Sequence, residues 1–376
     1  LVLATLAAYH NSFSGPFVFD DTPAIAENAS IRRLWPLREV LFPQQAGGLT
    51  TSGRPVVNLS FALNHAISGP QVWSYHVANL GIHVCAGLCL FGVVRRTWVM
   101  PGLRARFGAA AVPLAATVAA LWLLHPLQTA AVTYVVQRAE SLAGLLYLLT
   151  LYPFIRAESS PHGGRWRELS VAACLFGMAT KEIVVTAPLV VLLYDRTFVA
   201  GSLAAAWRQR RVFYGALAAS WLVLALLVWA TGGRGGTAGF GTAVSPWSYA
   251  LTQCTALVRY VRLAFWPDAL VFDYGTGIAG GLKAVLIEGI AVVTSLALAL
   301  IALVRRPVLG FIGVVFFLLL APSSSIVPVA TQTMAEHRMY LPLAAVAVLT
   351  GVGLHLGCGR WGVRIAAAFN PQDLID

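Results

Sequence analysis

Apolar runs near the length that crosses about 30 Å of hydrocarbon recur along this chain, separated by short polar loops. Their spacing predicts spans over 72–94, 107–124, 129–155, 169–180, 183–194, 212–230, 282–304, 308–320 and 340–356, following an apolar stub at 1–8. Two of these are short, so 169–194 is expected to pack as a broken pair around Lys181 and Glu182. The fold class is all-α: a polytopic membrane bundle of about ten observed helices, the first cut short. A further apolar run starts after Arg360, so 359–376 reads as the beginning of another helix or a tail and 1–358 as one transmembrane domain.

Composition strengthens this pattern. Of 376 residues 58% are hydrophobic and only 11% charged, and the mean hydropathy is +0.74, which excludes a soluble domain of this size. Arginine placement sets the orientation. Arg95, Arg96, Arg104 and Arg106 share one loop, Arg208, Arg210 and Arg211 another, and Arg305, Arg306 and Arg360 end later spans. All fall on one side if each span crosses once, and that side is expected to be cytoplasmic. Loops 9–69, 125–128, 231–281 and 321–339 then lie outside. The net charge of +11 thus reports topology and anionic lipid, with no basic stripe of interleaved aromatics to suggest nucleic acid. Only Lys181 and Lys283 are lysine, a bias that points to a GC-rich bacterial genome and an inner-membrane location. The five cysteines are scattered and read as small apolar fillers, so no metal site is expected.

The outer face is where chemistry concentrates. Asp20 and Asp21 stand together near the start of the first outer loop, as a base, a cation site or, with Thr22 and Pro23, a plain helix cap. Arg54, Arg138, Lys181 and Arg338 are outer cations that the positive-inside rule does not ask for. Three tight charge knots end three spans: Arg138 with Glu140, Lys181 with Glu182, and Glu336-His337-Arg338. Ion pairing at helix ends explains any one of them. Together they suit removal of a sugar from a lipid-linked phosphate, where cations meet the departing charge and a carboxylate takes the acceptor's proton. Two amphipathic stretches, 31–42 capped by Ser30 and about 246–266, are expected as helices lying in the interface. Between spans, 231–236 reads as a glycine-rich linker.

Several blocks resemble, in order along nearly the whole chain, the bacterial relatives of the transmembrane-and-tetratricopeptide-repeat O-mannosyltransferases. They are Phe17 to Asp21 with Asn28, Arg54-Pro55, Tyr75-His76 with Asn79 and His83, His125 to Thr129, Gln137 to Glu140, Lys181-Glu182, Trp266-Pro267-Asp268 with Asp273-Tyr274, and Glu336 to Pro342. The resemblance implies the GT-C architecture of eleven or so membrane helices, an extracytoplasmic site, a polyprenyl-phosphate sugar as donor and inverting transfer to a protein Ser/Thr or other hydroxyl. It makes Asp21 or Asp20 the base. Arg138, Lys181, Arg338 and Arg54 become candidates for the donor phosphate, supported by His76, Glu140, Glu182, Glu336 and His337. Two features depart from the family: Ala130 stands where relatives often carry an acid, and no repeat with a period of about 34 residues is found.

Two other classes compete. A catalytically silent scaffold subunit of a larger membrane complex would keep the fold without needing the carboxylates. A transporter would place ionisable groups near mid-membrane, whereas apart from Glu288 these lie at one interface.

Overall fold

A computed structural model of the chain describes residues 1–43, 48–232, 239, 244–329 and 331–368, without the side chains of 49 and 358–368. No strand occurs among the described residues. The principal helices are α1 Val2–Tyr9, α2 Pro55–Ser68, α3 Val72–Trp98, α4 Ala111–Leu123, α5 Arg138–Ala157, α6 Gly163–Met178, α7 Ala187–Tyr194, α8 Leu203–Ala230, α9 Pro246–Phe265, α10 Leu286–Arg305, α11 Pro307–Leu320 and α12 Leu343–Ala368. Four stretches are long and apolar enough to cross a membrane: Val72–Trp98, Pro101–Leu123, Leu203–Ala230 and Leu282–Arg305. Pro307–Leu320 and Leu343–Gly357 are shorter apolar helices. The chain is an all-α protein with the helical make-up of a polytopic membrane protein.

Helix α5 is central: it packs on α3, α6 and α7, while α3 carries α4, and α4 in turn meets α12. Their shared core buries Trp122, Phe154 and Tyr194. Gly144 permits one close approach, since a Cβ there would lie 2.5 Å from the Tyr340 ring. Tyr340 is held at that point by His83, whose Nδ1 is 3.0 Å from its hydroxyl, and by the Trp122 indole N–H on its carbonyl at 2.7 Å. Helix α10 is different: Ala299 is its one buried residue, so its apolar side chains present themselves to lipid, which solvates them as a core would.

Three expectations change. The apolar run 129–155 is not one helix: it breaks into Thr129–Thr133, a 3-10 turn Val135–Gln137 and α5, with Tyr134 extended between them. The stretch 31–42 is not an interfacial helix either. A 3-10 turn Ala29–Ile31 is capped by Asn28 rather than Ser30, and Pro36 confines the next helix to Leu37–Leu41, because proline permits a helix only from its first turn. The span expected at 212–230 begins earlier, at Leu203, with a kink at Arg210. The break at Lys181 and the helix after Ser245 match expectation. Residues 233–236 of the glycine-rich linker, the Cys358 and Arg360 side chains, and the tail beyond 368 lie outside the described residues.

Candidate active site

The first loop is folded by side-chain amides. Asn28 donates to Asn58 at 3.0 Å and to the Ala24 carbonyl, and Asn58 donates to Ser30 and to the Val40 carbonyl. With the loop fixed on α2, the backbone turns at Phe19, a non-glycine residue at φ 49°. A bulky residue in the left-handed region is strained, and such strain collects at functional positions.

Immediately after this turn the two aspartates diverge. Asp21 is 1% exposed; its Oδ1 accepts the Val136 N–H at 2.7 Å and its Oδ2 the Val18 N–H at 3.1 Å. The Val136 amide is free to donate because the run 129–155 is broken there. Burial lifts Asp21 to about 6, against the pull of those amides. Asp20 is only half-buried. Its N–H donates to the Tyr134 hydroxyl at 2.9 Å, and its Oδ2 accepts from Thr50 at 3.2 Å.

From Thr50 a polar chain leads inward. The Thr50 carbonyl accepts from Arg54 at 2.7 Å, and Arg54 forks onto the Glu182 carboxylate at 3.2 and 3.3 Å. The adjacent Lys181 meets Glu140 of α5 at 2.5 Å. Burial draws the Lys181 ammonium below its usual value, with Glu140 opposing. His337 is pushed well below the normal imidazole value by burial and by Lys181, Arg338 and Arg54, so it is neutral at pH 7. The broken segment before α7 thus brings Arg54, Glu140, Lys181, Glu182 and His337 into one electrostatic neighbourhood.

Arg138 and Arg338 are placed otherwise. Arg138 is fully buried, donating to Asn79 Oδ1 at 2.6 Å, Asn64 Oδ1 at 2.8 Å and the carbonyls of Tyr75 and Ser60. Its guanidinium also lies 4.6 Å from the Phe61 ring centre. Arg338 is held by Tyr249, Ser324 and the carbonyls of Ser323, Gln332 and Thr333. The neighbouring Glu336 takes the Val271 N–H and the Tyr274 hydroxyl, both at 2.7 Å, and so fixes the loop after α9. That loop returns Phe272 onto Tyr134, with ring centres 4.8 Å apart, and onto Phe19 at 6.0 Å. His76 joins the Gly15 carbonyl at 3.0 Å. Thr50 and Tyr134 were not anticipated from sequence; the amides Asn58 and Asn64, polar residues inside an apolar helix, were the readable sign of a buried network.

An apolar groove of about 130 Å³ runs between α3, α5, α7, α11 and α12, and it meets α3 at the end that carries Arg95 and Arg96. Leu319, Leu341 and Tyr147 line one end, Trp98 and Leu103 the other. No group of three or more residues able to hold a metal occurs among the described residues.

Sequence comparison finds relatives of the chain. The chain is 30% identical over 292 residues to "Protein O-mannosyl-transferase Tmtc2" of Drosophila melanogaster, covering 71% of this chain and 29% of that protein. It is 28% identical over 293 residues to Tmtc1 of the same organism, 71% of this chain and 33% of that one. To TMTC3 of Homo sapiens it is 28% identical over 214 residues, 53% and 21% respectively. The chain is related to the TMTC protein O-mannosyl-transferases. It spans about a third or less of the length of these TMTC relatives. No family model matches the chain, and no solved structure matches it.

Proposed function

We propose that this chain is the membrane portion of a glycosyltransferase that moves a sugar from a polyprenyl-phosphate donor to a hydroxyl acceptor, with inversion. The names of its relatives suggest mannose as the sugar and a protein as the acceptor. The observation that carries the reading is the polar chain from half-open Asp20 through Thr50 and Arg54 to Glu182, next to the buried Lys181–Glu140 pair. A lipid phosphate needs cations at its head and hydrocarbon for its tail; Arg54 and Lys181 would supply the first and the apolar faces of the surrounding helices the second.

In this reading Asp20 is the base. It takes the acceptor's proton as the acceptor oxygen attacks the anomeric carbon; the bond to the phosphate oxygen breaks, and the lipid phosphate departs carrying the negative charge. Arg54 and Lys181 neutralise that charge, exchanging Glu182 and Glu140 for phosphate oxygens. Neutral His337 contributes a hydrogen bond rather than charge. Asp21, with both oxygens on backbone amides, aims its neighbour; Arg138 and Arg338, saturated by protein acceptors, hold the walls. The arginine bias supports an extracytoplasmic face for the site, and the scarcity of lysine a bacterial source, in which the membrane would be the inner one.

The test is transfer from polyprenyl-phosphate mannose to a Ser/Thr peptide in membranes holding equal amounts of each variant. Asp20→Asn should abolish product while Asp21→Asn keeps a measurable fraction. Full activity of Asp20→Asn would reject the assigned base, and activity in neither wild type nor variants would favour a scaffold.

A further inference from the structure

At the end of the bundle opposite Asp20, a groove of about 660 Å³ lies between α6 and α8. Arg167, Arg208, Arg210 and Arg211 line it. Their surroundings differ. Arg210 is committed to Glu158 and Asp195, whereas Arg208 and Arg211 are exposed and form no ion pair among the described residues. Arg167 gives one nitrogen to Glu158 at 3.0 Å, while its Nε is buried without a hydrogen-bond partner. Glu168 is the one carboxylate in the lining. Apart from Gln209, the rest of the wall is apolar, with Val171 and Leu175 on α6 and Val212 and Ala216 on α8.

The backbone places this cation group at a membrane boundary. Helix α8 kinks at Arg210, with φ −134° and ψ 29°, so 203–209 departs from the line of the apolar segment that follows. Trp207, 52% exposed, sits on that short arm; tryptophan beside arginine at the end of an apolar helix marks the headgroup level.

We propose that this groove binds one anionic glycerophospholipid, its phosphate among Arg167, Arg208 and Arg211 and an acyl chain along Val171, Leu175, Val212 and Ala216. A free anion would use the cations and leave the apolar wall bare. An acidic soluble peptide would meet the same wall and could not follow it along a membrane-crossing helix. The inference is independent of the transferase reading, because the groove lies at the other end of the bundle from Asp20.

The experiment is native mass spectrometry of the full chain released from nanodiscs of phosphatidylcholine containing a minor share of phosphatidylglycerol, with retained lipid counted. One phosphatidylglycerol should remain on the wild type. The Arg208→Gln/Arg211→Gln double variant should bind it about 30-fold more weakly, each single change about 5-fold. Arg165→Gln, an exposed cation outside the lining, removes the same charge and should leave retention unchanged. Equal loss in the Arg165 variant would reduce the site to diffuse surface charge and overturn the proposal. So would equal displacement by soluble glycerol phosphate, which would assign an anion site without a lipid. If the double variant does not fold, the two single variants decide by the same criteria.

Discussion

Both ends of the bundle hold carboxylate–cation pairs, Arg54–Glu182 and Lys181–Glu140 at one and Arg210 with Glu158 and Asp195 at the other, but at the first end Asp20 and Asp21 lie outside those pairs. At the end away from Asp20, Arg210 bridges Glu158 and Asp195, Arg167 adds a second bond to Glu158, and the Tyr214 hydroxyl donates to Asp195 at 2.6 Å. Burial raises Glu158, but its bonds to Arg210 and Arg167 more than offset this and hold the carboxyl below the usual range. At the other end Asp21 has backbone amides in place of a cation and is lifted to about 6. Asp20 keeps part of its surface open. A carboxylate matched by guanidinium is held in place, whereas Asp20, half-buried with its carboxylate on the Thr50 hydroxyl, stays within reach of an acceptor.

The largest separation between the ends should come from deleting one group at each. Asp20→Asn is expected to lower transfer by about 10²–10⁴-fold, the range for loss of a general base, with the thermal midpoint unmoved. Arg210→Met should do the reverse. It leaves Asp195, which is 0% exposed, and Glu158 without their shared partner, a loss of about 3–5 kcal/mol for a buried pair broken on one side. Thermal unfolding in detergent should show that fall, with activity per folded molecule retained. A variant at either end that moved both readouts equally would erase the distinction.

An intermediate effect distinguishes Asp21 from its neighbour. Its folded value, about 6, lies above the unfolded value near 4, so its contribution to stability is fully present below the unfolded value and is lost as pH rises through about 6. The thermal midpoint of the wild type should therefore fall between about pH 4 and 6 relative to Asp21→Asn, which cannot ionise. Paired midpoints across that window check it. A constant difference between the two proteins would show that Asp21 is not strained by ionisation.

Much of the helical frame was legible because apolar runs and arginine-rich loops report local requirements. The site was legible only in part. Lys181 and Glu182 announced a break because charges interrupt an apolar stretch, but the break at Tyr134 left no such mark: 129–136 reads as continuous and apolar. What opens it is a distant demand, the Asp21 carboxylate taking the Val136 amide from 115 positions away. The surroundings of Arg138 and Arg338 were hidden for a related reason. Sequence shows a guanidinium at the membrane boundary but not the side-chain amides and carbonyls that surround it once α2, α3 and α9 are packed. In 31–42 the amphipathic spacing suggested a helix that Pro36 prevents.

The smallest effect tests whether aim, beyond the presence of a carboxylate, defines the open end. Tyr134 accepts the Asp20 N–H at 2.9 Å and stacks on Phe272 at 4.8 Å, so Tyr134→Phe deletes the acceptor while keeping the ring. One neutral hydrogen bond contributes about 1 kcal/mol, and part of that bond's role is to hold the strained turn at Phe19. The expected result is a fall in kcat of less than about ten-fold with KM for the donor unchanged, since the cations that would meet the phosphate are untouched. Tyr134→Ala should fall further, because Phe272 loses its platform and the loop fixed by Glu336 no longer braces Asp20. If Tyr134→Phe instead matched Asp20→Asn, the tyrosine would be touching the acceptor, and the open end would have to be described as a pair of reacting groups rather than one aimed carboxylate.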